Sequence, residues 1–328
     1  MRIWYDACTG KHMRYGVAIA KCLRKSGHEV ILTTREHPDT LGLAKALGES
    51  PIVVGKYNPA SLFTRLEESA NRMLRFSELF KDCLPDVAVS SQSVESCRVA
   101  FGLGVSTVLT ADTPHANAVN RLTIPLANTL VISEAIPQSF YRKYGAQKIV
   151  QFRGVDEVGW VRNFKASEKF SFKKPLIVIR QMETKASYTV GKTDFTTRLA
   201  RRLVSLGTVV FLPRYEKTGN KSLMGVKDLV YSTSLIAQAD LVVSAGGTIS
   251  REAALQGVPS IVVSEIGRTY VNRYVSKKGF PLFIVAASKA FSYAKKYLGK
   301  KFDVKAKLAE LENPVDVIGN IIDEKTYL

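Results

Sequence analysis

The feature of this sequence that most restricts its fold is an alternation. Short runs rich in β-branched residues, each followed by a longer stretch of helical periodicity, begin at the first residues and recur to the end. Connections of that length join parallel strands and lay helices on both faces of a sheet. In the first half the pattern predicts strands at Ile3 to Tyr5, Val30 to Thr33, Ile52 to Val54, Val87 to Ser90, Ser106 to Leu109 and Leu130 to Ile132. An amphipathic helix from Gly16 to Lys25 carries Val17, Ile19, Ala20 and Leu23 on one side and stops at Gly27.

Periodicity fails across the charged stretch from Arg162 to Lys174, and Pro175 opens a second series. Its strands are expected at Leu176 to Ile179, Thr208 to Leu212, Val226 to Val230, Leu241 to Ser244, Ser260 to Val263 and Leu282 to Val285. Helices are expected near Leu199, Ile236, Ala254, Val275 and Ala294. The expected organisation is a first domain over residues 1–157, a linker over 158–174, a second domain over 175–305, and a tail over 306–328. A helix near Val315 to Ile322 in that tail could return to the first domain. A length of 328 residues accommodates two such cores. Open parallel sheets bind ligands beyond the carboxyl ends of their strands, so two of them facing a cleft place the site in the loops that follow strands.

Composition narrows the ligand class. The net charge of +18 favours anions, and the basic residues are scattered in short pairs such as Arg201-Arg202 and Lys295-Lys296, so a nucleic-acid-binding tail is not expected. Hydrophobic residues at 46% exclude a disordered chain. No apolar run approaches the roughly 18 residues of a bilayer crossing, and the expectation is a cytoplasmic protein, peripheral at most on the inner face of a membrane. The four cysteines, Cys8, Cys22, Cys83 and Cys97, have no zinc-ligand spacing and read as buried free thiols. Oligomeric state is not legible.

The strongest motif is Leu241 to Ser244, then Ala245-Gly246-Gly247-Thr248, a helical run containing Glu252, and Gly257-Val258-Pro259. Paired glycines admit positive φ and close backbone approach, and the free amides of a following helix face an anion. A carboxylate one turn on, Glu252, suits a ribose diol, or alternatively the positive helix end itself. Arg180 ends the first strand of this half with a donor fork suited to a diphosphate, and Tyr188 after it either packs locally or stacks on a base. In the first half the loop Asp6-Ala7-Cys8-Thr9-Gly10-Lys11-His12-Met13-Arg14 follows a strand end. His12 is a base candidate because its pKa lies near neutrality, with Asp6 as the alternative base or as its orienter. A third cluster, Asp112 with Asn120 and Arg121, follows the strand ending at Leu109.

These motifs resemble two groups of enzymes. The glycine turn with its glutamate is similar to that of the MurG-like GT-B glycosyltransferases, which implies a pyrophosphate seat at Gly246, Gly247 and Thr248 and a ribose contact at Glu252. The first loop resembles the acceptor-side loop of the same fold, with Lys11 in place of a glycine, and implies substrate contacts at Gly10, Lys11 and Arg14. The stretch from Asp112 to Arg121 resembles the non-hydrolysing sugar-nucleotide 2-epimerases, although Asn117, Ala118 and Val119 stand where those enzymes carry glutamates. The whole pattern resembles an uncharacterised archaeal-type family, domain of unknown function 354. The implied fold class is α/β of GT-B type with two Rossmann-like domains. The implied activity is metal-independent and cofactor-independent transfer from a nucleotide-sugar donor to a lipid- or phosphate-linked acceptor. The alternatives are 2-epimerisation and non-catalytic binding of nucleotide or nucleic acid.

Overall fold

The computed structural model describes residues 1–37, 40–166, 169–182, 194–213, 224–225, 232–263 and 267–324. They divide into two compact units. The first comprises Met1–Trp160 together with Glu312–Leu328, and the second Val161–Leu311.

Unit 1 is built on seven parallel strands in the order β3-β2-β1-β4-β5-β6-β7. These are β1 (Arg2–Ala7), β2 (Glu29–Glu36), β3 (Ile52–Lys56), β4 (Val87–Ser90), β5 (Ser106–Thr110), β6 (Thr129–Ser133) and β7 (Lys148–Phe152). The connections carry α1 (Gly10–Lys25), α2 (Leu41–Ala46), α3 (Leu62–Leu79), α4 (Val94–Gly102), α5 (Asn117–Thr123) and α6 (Ser139–Arg142), and α7 (Val158–Val161) follows β7. Reversal of strand order beside β1 makes this a doubly wound sheet, whose loops diverge at the carboxyl ends of β1 and β4. Trp4 anchors one face, with ring centroids 4.7 Å from both Phe76 and Phe80 of the α3 segment, and its indole nitrogen donates to Thr33 Oγ1 at 2.8 Å.

Unit 2 repeats the plan with six parallel strands in the order β10-β9-β8-β11-β12-β13. They are β8 (Leu176–Arg180), β9 (Thr208–Leu212), β10 (Met224–Gly225), β11 (Leu241–Ser244), β12 (Ser260–Val263) and β13 (Leu282–Val285). The helices are α8 (Thr196–Leu203), α9 (Ser232–Gln238), α10 (Thr248–Leu255), α11 (Tyr270–Lys277), α12 (Ala290–Tyr297) and α13 (Lys305–Glu310). Ile177, Ile179, Val243 and Ile261 point into one core and Val178, Val210 and Val242 into another. A strand buried on both faces reads as the continuous apolar run seen in the sequence.

The tail does return to unit 1. Helix α14 (Pro314–Asp323) packs on α1 through buried Val315, Ile318 and Ile322. Asp323 meets His28 Nε2 at 2.6 Å, and the Arg153 amide donates to Glu312 at 2.6 Å.

Two expectations change. Helix α1 starts at Gly10 rather than Gly16, because Thr9 caps it by accepting from the His12 amide, so the expected loop residues Gly10, Lys11, His12 and Arg14 form its first turns. Strand β7 was not anticipated: its residues are exposed or half-buried except Phe152, as suits an edge strand held by pairing with β6 rather than by its own burial. The strand expected at Val226 to Val230 lies outside the described residues, as does Tyr188. No described helix is long and apolar enough to cross a membrane.

Candidate functional site

At the carboxyl edge of the unit 1 sheet the first turn of α1 presents Lys11 to two carboxylates. Lys11 Nζ lies 2.6 Å from Asp112 Oδ2, beyond β5, and 2.7 Å from Asp156 Oδ2, beyond β7. A cation at a helix N-terminus opposes the macrodipole, and the flanking carboxylates offset that cost. Lys11 is therefore engaged by carboxylates of its own unit, whereas the sequence implied a contact to substrate. Asp112 also accepts from Thr113 Oγ1 at 2.8 Å and keeps 23% of its side chain exposed. Burial, only partly opposed by Lys11, pushes the Asp156 carboxyl above its ordinary value, with the carboxylates of Asp112 and Glu157 acting the same way. Asp156 was read from the sequence as part of an architectural turn; its role in holding Lys11 had no local signal.

His12 follows on the same helix turn. Its Nδ1 is shielded and forms no hydrogen bond among the described residues. Burial, then the Lys11 cation, lowers its pKa to about 3, so the imidazole is neutral in ordinary buffers. Arg14, one position past Met13, is half-buried on the same helix.

Asp6 has a different job from the one expected. It is 0% exposed and receives Arg72 Nη2 at 2.6 Å and Nη1 at 3.0 Å, Ser93 Oγ at 2.6 Å and Thr33 Oγ1 at 2.8 Å. Burial alone would raise its carboxyl, but the Arg72 charge and these hydrogen bonds outweigh it and hold it below the usual carboxylate range. A carboxylate so sealed and so bonded has no lone pair to offer a substrate, and Asp6 is withdrawn as a base. Arg72 also donates to the Val54 carbonyl at 2.7 Å, so the pair ties α3 to the ends of β1 and β3.

Asn120 is corrected likewise. Fully buried, it donates to the Pro114 carbonyl at 3.0 Å and accepts from Gln92 Nε2 at 2.6 Å, spending its amide on the loops after β5 and β4. Gln92 itself has φ +55, a conformation unusual outside glycine, at the carboxyl end of β4. Arg121, on the next turn position of α5, is exposed.

In unit 2 the loop after β11 has the expected form. Gly246 and Gly247 have φ of +113 and +104, and Gly247 is the N-cap of α10 with no side-chain capping bond. A Cβ on Gly246 would lie 2.7 Å from Gly267 Cα, whereas one on Gly247 would meet nothing within 4 Å. The first glycine thus permits close backbone packing, and the second borders open space beside the half-buried Thr248. Behind the turn, Arg251 Nη1 donates to Asn272 Oδ1 at 3.0 Å, and Asn272 Nδ2 donates to the Gly267 carbonyl at 2.8 Å. This brace was not legible in the sequence, since Asn272 lies on α11. Arg180 ends β8 half-buried. Glu252 departs from expectation: it is 1% exposed, a buried carboxylate rather than one open at the mouth of the turn. The ribose contact implied for it is dropped on that ground. Among the described residues no group of three or more metal-ligating side chains occurs.

Comparison with known proteins bears on the family and the fold. A family described as "Protein of unknown function (DUF354)" matches residues 1–326. The "Uncharacterized protein MJ0665" of Methanocaldococcus jannaschii is 28% identical over 334 residues, covering 96% of each chain. Among solved structures, the UDP-GlcNAc 2-epimerase of the same organism in complex with UDP-GlcNAc and UDP superposes with a TM-score of 0.73 at 15% identity over 100% of both chains. The Streptomyces sp. SF2575 glycosyltransferase SsfS6, complexed with thymidine diphosphate, gives 0.59 at 19% identity over 99% of both. These likenesses establish an α/β fold of GT-B type.

Proposed function

The chain belongs to the DUF354 family of unknown function, and from that premise we propose that it is a glycosyltransferase whose unit 2 binds a nucleoside diphosphate sugar at the Gly246-Gly247-Thr248 turn. The observation that carries the reading is the start of α10, which has no side-chain capping bond and follows two positive-φ glycines, the second of them bordering open space. Solved proteins of the same fold whose titles include UDP or thymidine diphosphate support this ligand class. Arg180, at the end of β8, supplies a second positive group for the diphosphate. No metal or cofactor is invoked.

In the transfer, an acceptor hydroxyl oxygen forms a bond to the sugar C1 as the bond from C1 to the diphosphate oxygen breaks. The electron pair leaves with the diphosphate and the hydroxyl proton goes to a base. His12 and Asp112 are the candidates on unit 1. His12 is neutral and can take the proton as a weak base, burial being the chief cause of its lowered pKa. Asp112, partly exposed and held by Lys11, either performs that step or steadies the acceptor.

A 2-epimerase is the second reading, favoured by the higher TM-score to an enzyme of that title and by the close grouping of Lys11, Asp112 and Asp156. Incubation of UDP-GlcNAc in deuterated water separates the two: transfer predicts UDP release that depends on added acceptor with no deuterium at C2. Deuterium at C2 without acceptor overturns the transferase in favour of the epimerase.

A further inference from the structure

Unit 1 has a second concave site, between the start of α5 and the turn after α6. Asn117, Arg121, Lys143 and Tyr144 line a cavity of ≈ 500 Å³, within the range of small-ligand sites. Its lining holds two cations and no carboxylate. Neither cation has a salt bridge among the described residues. Lys143 Nζ is instead held over the rings of Tyr144, at 5.0 Å, and Phe140, at 5.8 Å. Such contacts restrain the ammonium without neutralising it. Tyr144 donates its hydroxyl proton to Asn117 Oδ1, which fixes the amide and leaves its nitrogen as a donor. Two unneutralised charges and a donor converging on one cavity make a field that only an anion satisfies.

The cavity also shares a sheet edge with the chemistry. Asn117 and Arg121 follow β5, as Asp112 does, and Lys143 and Tyr144 follow β6, so the cavity and the Lys11 cluster belong to the same carboxyl edge of the unit 1 sheet. A ligand seated by its anion against Arg121 and Lys143 therefore lies at the sheet edge that also carries Lys11, Asp112 and Asp156.

We propose that this cavity is the acceptor subsite and that the acceptor is a small hydroxyl compound carrying an anionic group, phosphate or carboxylate, gripped by Arg121, Lys143 and the Asn117 amide. The assignment as acceptor rests on the transferase reading; anion binding at the cavity does not.

The test uses the full chain and three probes, glucose 6-phosphate, glucuronate and glucose, titrated calorimetrically. The expected result is binding of one or both anions and none of glucose, with roughly tenfold or greater weakening in Arg121→Ala and in Lys143→Ala. Which of the two anions binds identifies phosphate or carboxylate as the group. Arg98→Ala, which removes an exposed cation of α4 outside the cavity, should leave the affinity unchanged. UDP affinity should be the same in all of these proteins. No binding of either anion, or equal weakening in Arg98→Ala, overturns the subsite even if UDP still binds. Anion binding with the expected mutant pattern but no UDP binding to the wild type overturns the nucleotide reading and, with it, the acceptor assignment.

Discussion

Arg72 carries its guanidinium from α3 into the interior, where it meets Asp6 and the Val54 carbonyl with almost no exposure. Removing one member of a buried pair strands the other, so Arg72→Leu should destabilise the protein by about 3–5 kcal/mol in urea unfolding. His12 makes a pH prediction. Its folded pKa of about 3 lies below the ordinary 6.5, so between these values the unfolded chain takes up a proton that the folded chain refuses. The contribution is fully present above pH 6.5 and is lost as pH falls toward 3. Between pH 6.5 and 5 the wild type should lose about 1–2 kcal/mol more than His12→Gln, read from unfolding curves at each pH. The placement of His12 and Asp112 just beyond β1 and β5 was legible, because strand ends are visible in the sequence. The distant partners were not. Nothing near Asp6 announces Arg72, 66 residues on, and nothing in the Gly154-Val155-Asp156 turn announces Lys11. Those pairings are made by sheet topology, which brings together the ends of strands far apart in the chain.

At the scale of elements, the loop between β11 and α10 owes its shape to two backbone conformations closed to most side chains. Gly247→Ala adds a Cβ into open space and should cost about 1–3 kcal/mol through its positive φ alone. Gly246→Ala adds the same strain and a backbone collision with Gly267, so it should be the more destabilising of the two by thermal unfolding. The strands of this sheet were readable because burial on both faces leaves uninterrupted β-branched runs. Helix α1 was read six residues short, because Gly10, Lys11 and His12 look like a loop until Thr9 is recognised as a cap. The burial of Glu252 was not readable either: helical periodicity does not say that α10 buries six of its eight residues.

At the scale of the whole molecule, unit 1 is discontinuous in sequence, since α14 returns from the far end of the chain to cover α1. Ending the chain at residue 311 should expose the α1 face that meets Ile318 and Ile322, and in hydrogen exchange should deprotect α1 and β1 before any strand of unit 2. The two-unit plan and the sign of the net charge were both present in the sequence, whereas the substrate of a GT-B fold depends on a few loop side chains and is not fixed by the plan. In the proposed function main-chain amides at the start of α10 hold the diphosphate, and the decisive experiment is calorimetric titration of UDP and of uridine into the wild type and a folded Gly247→Ala variant. The account predicts that UDP binds the wild type and weakens roughly tenfold or more in the variant, while any affinity for uridine is unchanged. Equal UDP affinity in both proteins would contradict it.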